Sequence, residues 1–553
     1  MKKGKSALVL AAVAMLLLSA CSNGRTETAK ENGSSGKPAE AKTETEAGTA
    51  IDPFRLPELV EVSTIKAVSP NERMPQGDTI EDNLYTRYFT EKTNVKFKYM
   101  WYASGDDYTQ KLKLAVASND LPDTMVVDER TFLELAAGDQ LEDLTDVFQK
   151  YASDQVKQIY ELNDGLSLEK ATIDGKLLAI PNIVPKGDSF QEVWVRKDWL
   201  DKLGLQPPKT VGDVEKIAEA FIARDPDGNG KNDTIGLPGN NGVVTTDYGW
   251  NYDFKALFNA FGAYPSIWLK DGSGNVVYGS TTPEAKQALG KLAEWYKKGL
   301  IDKDFALRKN PDELVVGGKS GIFFGPWYMP FGTLTNAMMA DPKADWRAYA
   351  IADDQGRYNA TVVPPSSSFL VVKKGFKHPE AVVTYFNFNT RFLQTPTPDD
   401  KKLDQTYVSL RPIDLNIGDP DAVLKKHEMI KGAIEGKLTP DQLSPEMQGH
   451  LERWNKYKAD PKANIGEWGP PYAYLVGGQP MADVKFNEVY SLYTATTKTM
   501  EKRWSNLQKL ENETYFKIVL GELPLDAFDS FVADWKAQGG EQIIKEVQEA
   551  VQK

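Results

Sequence analysis

From Pro53 onward the chain alternates short β-rich runs with helical periods. Val60 to Ile65 reads as a first strand. Val95 to Trp101 alternates apolar and polar positions like a half-buried strand. Between them Asn83 to Phe89 reads as a helix. Asp106 to Ser118 sets Tyr108, Leu112, Ala115 and Val116 on one helical face, and Leu121 to Val127 reads as a loop entering a buried strand. This βαβ rhythm predicts a mostly parallel sheet covered by helices, with ligands at the carboxyl ends of the strands. Further on, Thr282-Pro283-Glu284 opens a helix with Ala285, Ala288, Leu289, Leu292, Trp295 and Tyr296 on its apolar stripe, and Gly299 stops it. Two more helices are expected near Leu525 to Lys536 and Gln542 to Val551, parted by Gly539-Gly540. No repeat of solenoid period is present.

Composition narrows the function classes. With 553 residues and 41% hydrophobic positions the chain can bury a normal core, and its length suggests several domains or two large ones. A formal charge of -12 argues against a nucleic-acid partner, since neutralising phosphates takes clustered Lys and Arg. One cysteine rules out an intramolecular disulfide and a cysteine metal cage. The three histidines, His378, His427 and His450, are isolated, so no zinc-protease motif exists. Gly318-Lys319-Ser320 lacks the earlier glycine of a phosphate loop, with Glu313 in that position. A Gly-x-Ser-x-Gly elbow is absent. A secreted glycoside hydrolase or lyase stays open as an alternative, because 78 acidic residues cannot exclude a catalytic carboxylate pair by counting.

The first 20 residues carry the features of an export signal: Lys2, Lys3 and Lys5, then an apolar run from Ala7 to Leu18. Leu18-Ser19-Ala20-Cys21 follows and resembles a bacterial lipobox, which implies lipidation at Cys21. The rival reading is an ordinary signal peptide that holds a cysteine. Removing residues 1–20 leaves the mature chain three charges more negative. Residues 21–50 read as a disordered tether: Ser22 to Ala50 has no aromatic residue and no Val, Ile or Leu. As a flexible coil it reaches roughly 30 Å.

The most specific motif in the body is Asp225-Pro226-Asp227-Gly228-Asn229-Gly230-Lys231-Asn232-Asp233. Asp225, Asp227, Asn229 and Asp233 stand at loop positions 1, 3, 5 and 9 of an EF-hand, the Lys231 carbonyl at 7 and Gly230 at the sharp turn. Calcium wants six to eight hard oxygens, and this spacing wraps them around one point. Gly236 stands where the twelfth-position Glu would be. One structural calcium ion is expected, against an ion-free Asx/Gly loop.

Four stretches resemble the extracellular solute-binding proteins of bacterial ABC importers, in the family that includes maltose- and alginate-binding proteins. They are Ser118 to Asp123, Ile173 to Pro181, Val193 to Gly204, and Gly317 to Trp327. Gly521 to Leu525 resembles the long lipoprotein subgroup. In alginate-binding relatives a Glu after the position-9 Asp ligates the ion, whereas this chain has Thr234. The resemblance implies an α/β, two-lobed periplasmic-binding-protein-like (type II) fold with hinge crossings and extra C-terminal helices. One lobe is expected at 55–182 and 367–410, the other at 185–364 and 411–553. It implies a monomer, lipid-anchored on the extracytoplasmic face of a cell membrane, that captures an oligosaccharide and delivers it to ABC permease subunits. A ligand-binding partner of a membrane sensor is the alternative within the same fold.

Sugar rings stack their C–H faces on aromatic planes, and their hydroxyls need planar polar partners. Trp327, aligned with the family's stacking Trp, and the adjacent Tyr328 are therefore candidate ligand contacts. Trp250 lies in a loop that resembles a ligand-facing segment. Asp128, with Arg130 beside it, is expected at a strand end, and Trp468 on an irregular loop that caps the cleft. Trp194, Trp199, Trp295, Trp504 and Trp535 are expected in the core.

Overall fold

A computed structural model describes residues 51–69, 72, 74–240, 242–244 and 251–552. The 1–20 signal, Cys21, the tether and Trp250 lie outside the described residues. Among the described residues no helix is long and apolar enough to cross a membrane.

Strands β1 (Val60–Ala67) and β2 (Val95–Ala103) pair in parallel, joined by the helix Leu84–Thr93. That helix starts where sequence chemistry says it should: Asn83 accepts from the backbone of Tyr85 and Thr86, and Thr86 bonds back to the cap. The chain then forms β3 (Thr124–Asp128) and β4 (Ala179–Pro181). It crosses into β5 (Gln191–Arg196), β6 (Ile322–Pro326), β7 (Trp346–Tyr349) and β8 (Tyr358–Val362). It returns as β9 (Ser368–Val372), and β10 (Phe486–Tyr490) follows late.

The pairing corrects the mostly parallel sheet expected from the rhythm. β9 lies between β3 and β4 and is antiparallel to both, and β5 lies between β6 and β7 in the same way. Only β1–β2 and β8–β10 are parallel pairs among the labelled strands. The reason is where the chain crosses. β4 leaves the first body at Pro181, and β9 re-enters it opposite that residue and opposite Asp128. A strand that re-enters at the end where its neighbours finish must run against them. Asn182 stitches the two crossings: its Oδ1 accepts from the amides of Ser367 and Ser368 at 2.8 and 2.9 Å. Ser366 Oγ donates to its carbonyl at 2.6 Å.

Two large apolar cores follow. The first gathers side chains from 56–183 and 369–417, including Phe97, Phe132, Phe369 and Phe386. The second gathers 193–351 and 500–547, including Trp199, Phe258, Trp295 and Trp535. Two smaller clusters form around Trp194, Trp346 and Trp468, and around Phe190, Trp327 and Met447. Ile413, Leu415 and Ile417 pack in the first core, beyond the expected boundary at 410.

Two buried polar side chains matter later. Asn387, fully buried, donates to the carbonyls of Pro53 and Tyr151 at 2.7 and 2.8 Å and accepts from Ser153 N at 3.0 Å. Glu192 on β5 is fully buried with neither carboxylate oxygen hydrogen-bonded, and burial pushes its pKa well above the carboxylate range.

Candidate binding cleft and calcium-type loop

The ends of β1 and β3 open on a cavity of 730 Å³, whose wall includes Lys66, Asp128, Arg130 and the Tyr108, Leu112 and Val116 face of helix Gly105–Ser118. Asp128 caps helix Glu129–Ala137 by accepting from Thr131 N at 2.8 Å, which fixes it at the strand end. Lys66 is 7% exposed and donates to the Arg411 carbonyl at 2.6 Å. Burial pulls its pKa down to about 8.

A second cavity of 520 Å³ shares Asp128 and Arg130 with the first, and its far wall belongs to the second body. Met500, Trp504 and Gln508 line it from one face of helix Met500–Val519, at the i, i+4 spacing of a single stripe. Trp268, Tyr493 and Thr494 complete that wall. Direct bonds span the cleft. Glu129 Oε1 accepts from Lys170 Nζ and from Thr494 Oγ1, both at 2.7 Å. Lys170 Nζ also reaches Thr494 Oγ1 at 2.7 Å, and its burial lowers its pKa. Arg130 pairs with Glu501 at 3.4 Å on the exposed rim.

The 225–233 loop lies between helix Val211–Ala223 and a backbone bridge from Ile235 to Ser320. Asp225, Gly228 and Gly230 all take positive φ, which curls the loop on itself. The Asn229 amide nitrogen stands between Asp227 and Asp233, at 2.6 and 3.0 Å from their oxygens. Asp225 Oδ2 accepts from Gly230 N at 3.0 Å, and its Oδ1 is buried without a partner. Burial and the bond to Asp225 raise the Asp227 pKa, while that same bond lowers the Asp225 pKa. The carboxylate oxygens of Asp225, Asp227 and Asp233 with the Lys231 carbonyl are the hard donors a cation of this type takes, and the Asn229 NH₂ group stands between two of the carboxylates while its Oδ1 accepts from Lys231 N at 2.7 Å. Among the described residues no three His, Cys, Asp or Glu side chains suffice alone to hold a metal. Gly236, at the twelfth position, explains the missing Glu: a Cβ there would stand 2.2 Å from the Leu300 carbonyl oxygen.

The family model described as bacterial extracellular solute-binding protein matches residues 71–391, more than half of the chain. The chain belongs to that family. Among solute-binding relatives, the polygalacturonan/rhamnogalacturonan-binding protein YtcQ of Bacillus subtilis is 26% identical over 419 residues, 72% of this chain and 75% of that one. The HMO-binding, ABC-transporter-associated solute-binding protein of Bifidobacterium longum infantis superposes with a TM-score of 0.59 at 17% identity, covering 89% of this chain and 98% of that one. An EF-hand mutant of the Streptococcus pneumoniae ABC-transporter substrate-binding protein FusA, in complex with fructo-nystose, gives 0.53 at 18% identity, covering 89% and 99%. The fold is the two-lobed one of periplasmic solute-binding proteins.

Within this solute-binding fold the anticipated contacts separate. Asp128 and Arg130 line both cavities. Trp327 is 7% exposed, packs against Tyr328, Phe331 and Tyr474, and donates from its indole to Asp188 at 2.9 Å. Tyr328 is half-buried beside it, and neither lines the two cavities. Trp468 is 2% exposed and stacked on Tyr472, inside a packed cluster rather than at a cavity wall. Trp194, Trp199, Trp295 and Trp535 are core residues. Trp504 is core on one side only: half-buried, it packs against the second core and also lines the cleft. The available signal was the stripe itself, in which Gln508 and Glu511 interrupt apolar positions that a core helix would leave unbroken.

Proposed function

We propose that this solute-binding protein captures an oligosaccharide in the cleft and hands it unchanged to an ABC permease at the outer face of a cell membrane. The carrying observation is the second cavity's wall. It sets a half-buried indole, Trp504, beside Gln508 and Thr494, opposite Asp128 and Arg130. An aromatic plane with amide, hydroxyl, carboxylate and guanidinium groups suits a sugar's apolar face and its ring of hydroxyls. The carbohydrates bound by the relatives support the same class. Ligand that contacts both walls better in a closed form than in an open one shifts the lobes toward closure, with no base or nucleophile required.

The ligand contacts in this reading are Asp128, Arg130, Trp504 and Gln508. Trp327, through Asp188 next to the lining Ser189, buttresses the second wall. Asp225, Asp227, Asn229, Asp233 and the Lys231 carbonyl would hold a structural calcium ion, which neutralises the crowded carboxylates. Cys21 would carry the lipid, and two or more acyl chains anchor stably where one does not.

Calorimetry against a panel of fructo-oligosaccharides, oligogalacturonates and neutral milk-type oligosaccharides tests the reading, with chromatography of the sugars afterwards. Saturable binding with intact sugars is the expected result. Cleaved products would transfer the chain to the hydrolase or lyase class, and no heat with any saccharide would end the carbohydrate reading.

A further inference from the structure

Behind the Trp504 wall lies a buried carboxyl that the capture mechanism does not use. Glu511, 5% exposed, stands one turn past Gln508 on the same helical stripe. Its Oε2 accepts from the Tyr278 hydroxyl at 3.1 Å. The Tyr278 ring is the hub of an aromatic nest. It stacks on Trp535 at 5.0 Å with planes 5° apart, meets Trp268 at 5.0 Å, and takes Trp504 edge-on at 5.3 Å. Trp268 and Trp504 are the indoles of the cleft wall. A phenol held at both its face and its hydroxyl is restrained from turning, and so are the two indoles that lean on it.

We propose that Glu511 is a positioning residue for saccharide binding: through Tyr278 it fixes the Trp268–Trp504 wall on which the sugar stacks. The inference rests on the carbohydrate reading above and goes beyond it to a residue that never touches the ligand.

The surroundings make this carboxyl responsive to pH. The Ser280 hydroxyl also hydrogen-bonds this carboxyl, and the titratable groups facing it are Tyr278, at the end of the antiparallel hairpin formed by Trp268–Lys270 and Val276–Tyr278, and Tyr515 from its own helix, whose hydroxyl donates to the Ser280 carbonyl at 2.6 Å. Helix Ala527–Trp535 brings the rings of Phe528, Phe531 and Trp535. Helix Pro283–Lys298 brings Leu289 and Leu292, with Lys286 turned out to Asp526 and Asp529. On the last helix Glu546 is held by Thr499. No cation faces Glu511 among these groups, and burial lifts its pKa to about 7. Ionisation above that pH places an uncompensated charge behind the wall, so the nest must relax to solvate it.

The test uses the full mature chain and a saccharide that the wild type binds in the calorimetric panel, titrated at pH 6.0 and 8.5. The wild type should bind about fivefold more weakly at the higher pH, the lower end of ordinary coupling between two sites. Glu511→Gln keeps an acceptor for Tyr278 and cannot ionise, so it should flatten the profile. Glu511→Leu should weaken binding at both pH values. A Glu511→Gln profile as steep as the wild type's overturns the proposal. Ligand-free tryptophan emission gives a second readout that holds even if no saccharide binds. It should shift between the two pH values in the wild type, lose that shift in Glu511→Gln, and keep only a reduced shift, from Trp268 and Trp535, in Trp504→Phe. No shift in the wild type also overturns it.

Discussion

Thr494 donates its hydroxyl to Glu129 across 365 positions of sequence, at 2.7 Å. Glu129 belongs to a helix of the first core, and Thr494 to the segment that leads into helix Met500–Val519 of the second. With Lys170 bonded to both, the three side chains form a closed ring that is mostly shielded from water. The ring joins the lobes without a ligand, so it biases their closure directly.

Removing one member should therefore change affinity without touching the sugar. Thr494→Val forfeits about 1.5 kcal/mol, the low end for a hydrogen bond to an ionised group. That is roughly tenfold in affinity if the link exists only in the closed form. Calorimetry on the variant decides it, and an unchanged dissociation constant would show that the ring does not bias closure.

Calcium added to a chelator-treated sample should raise the melting temperature, because an ion bound only by the folded chain stabilises it by about 2.7 kcal/mol at a hundredfold excess over its dissociation constant. Asp227→Ala should abolish the rise. A wild type that melts identically with calcium and with chelator leaves the loop as an ion-free turn.

Completing the EF-hand pattern should fail. Gly236→Glu places a Cβ against the Leu300 carbonyl oxygen, at a position whose own carbonyl accepts from Ser320 Oγ at 2.7 Å. Forcing atoms into such a contact typically costs about 1–3 kcal/mol. The variant should melt below the wild type and bind calcium no more tightly, as read by scanning calorimetry with and without the ion.

Glu192 makes stability pH-dependent. Its folded pKa is raised, so below the unfolded value of 4.5 both states are protonated and the acid subtracts nothing by titration. As pH climbs from there toward the folded value, only the unfolded chain gives up the proton, and stability falls. Glu192→Met removes that loss and the unbonded oxygens with it. The variant should gain in melting temperature at pH 8 relative to pH 4. A difference from wild type that is the same at both pH values would refute the assignment.

Much of the architecture was legible in local patterns. Asn83 caps its helix, the stripe from Ala285 to Trp295 is buried as spaced, and Gly299 ends that helix in the left-handed region. Strand direction was not legible, because it depends on where a strand arriving from 240 positions away re-enters the sheet. The cleft was half legible. Asp128 and Arg130 follow a strand end, a local fact, and they line the cavities. Trp504 was misread because its stripe looks like core until Gln508 and Glu511 are weighed as polar positions on a buried face. Trp327 and Trp468 sit in clusters assembled from segments more than a hundred residues apart, and no spacing rule reports which side of a ring such a cluster covers.

Asn387 clasps the carbonyl of Pro53, close to where the described chain begins, and it does so from the first core alone. In mechanical terms that lobe is the stator. Whatever pulls on the chain upstream of Pro53 loads this jaw, and the other jaw, joined to it by the crossings around Asn182 and beyond 417 and by the Glu129–Lys170–Thr494 ring, is the arm that swings. A load that enters through Pro53 leaves the working stroke unloaded, so an anchor upstream of Pro53 would not compete with opening.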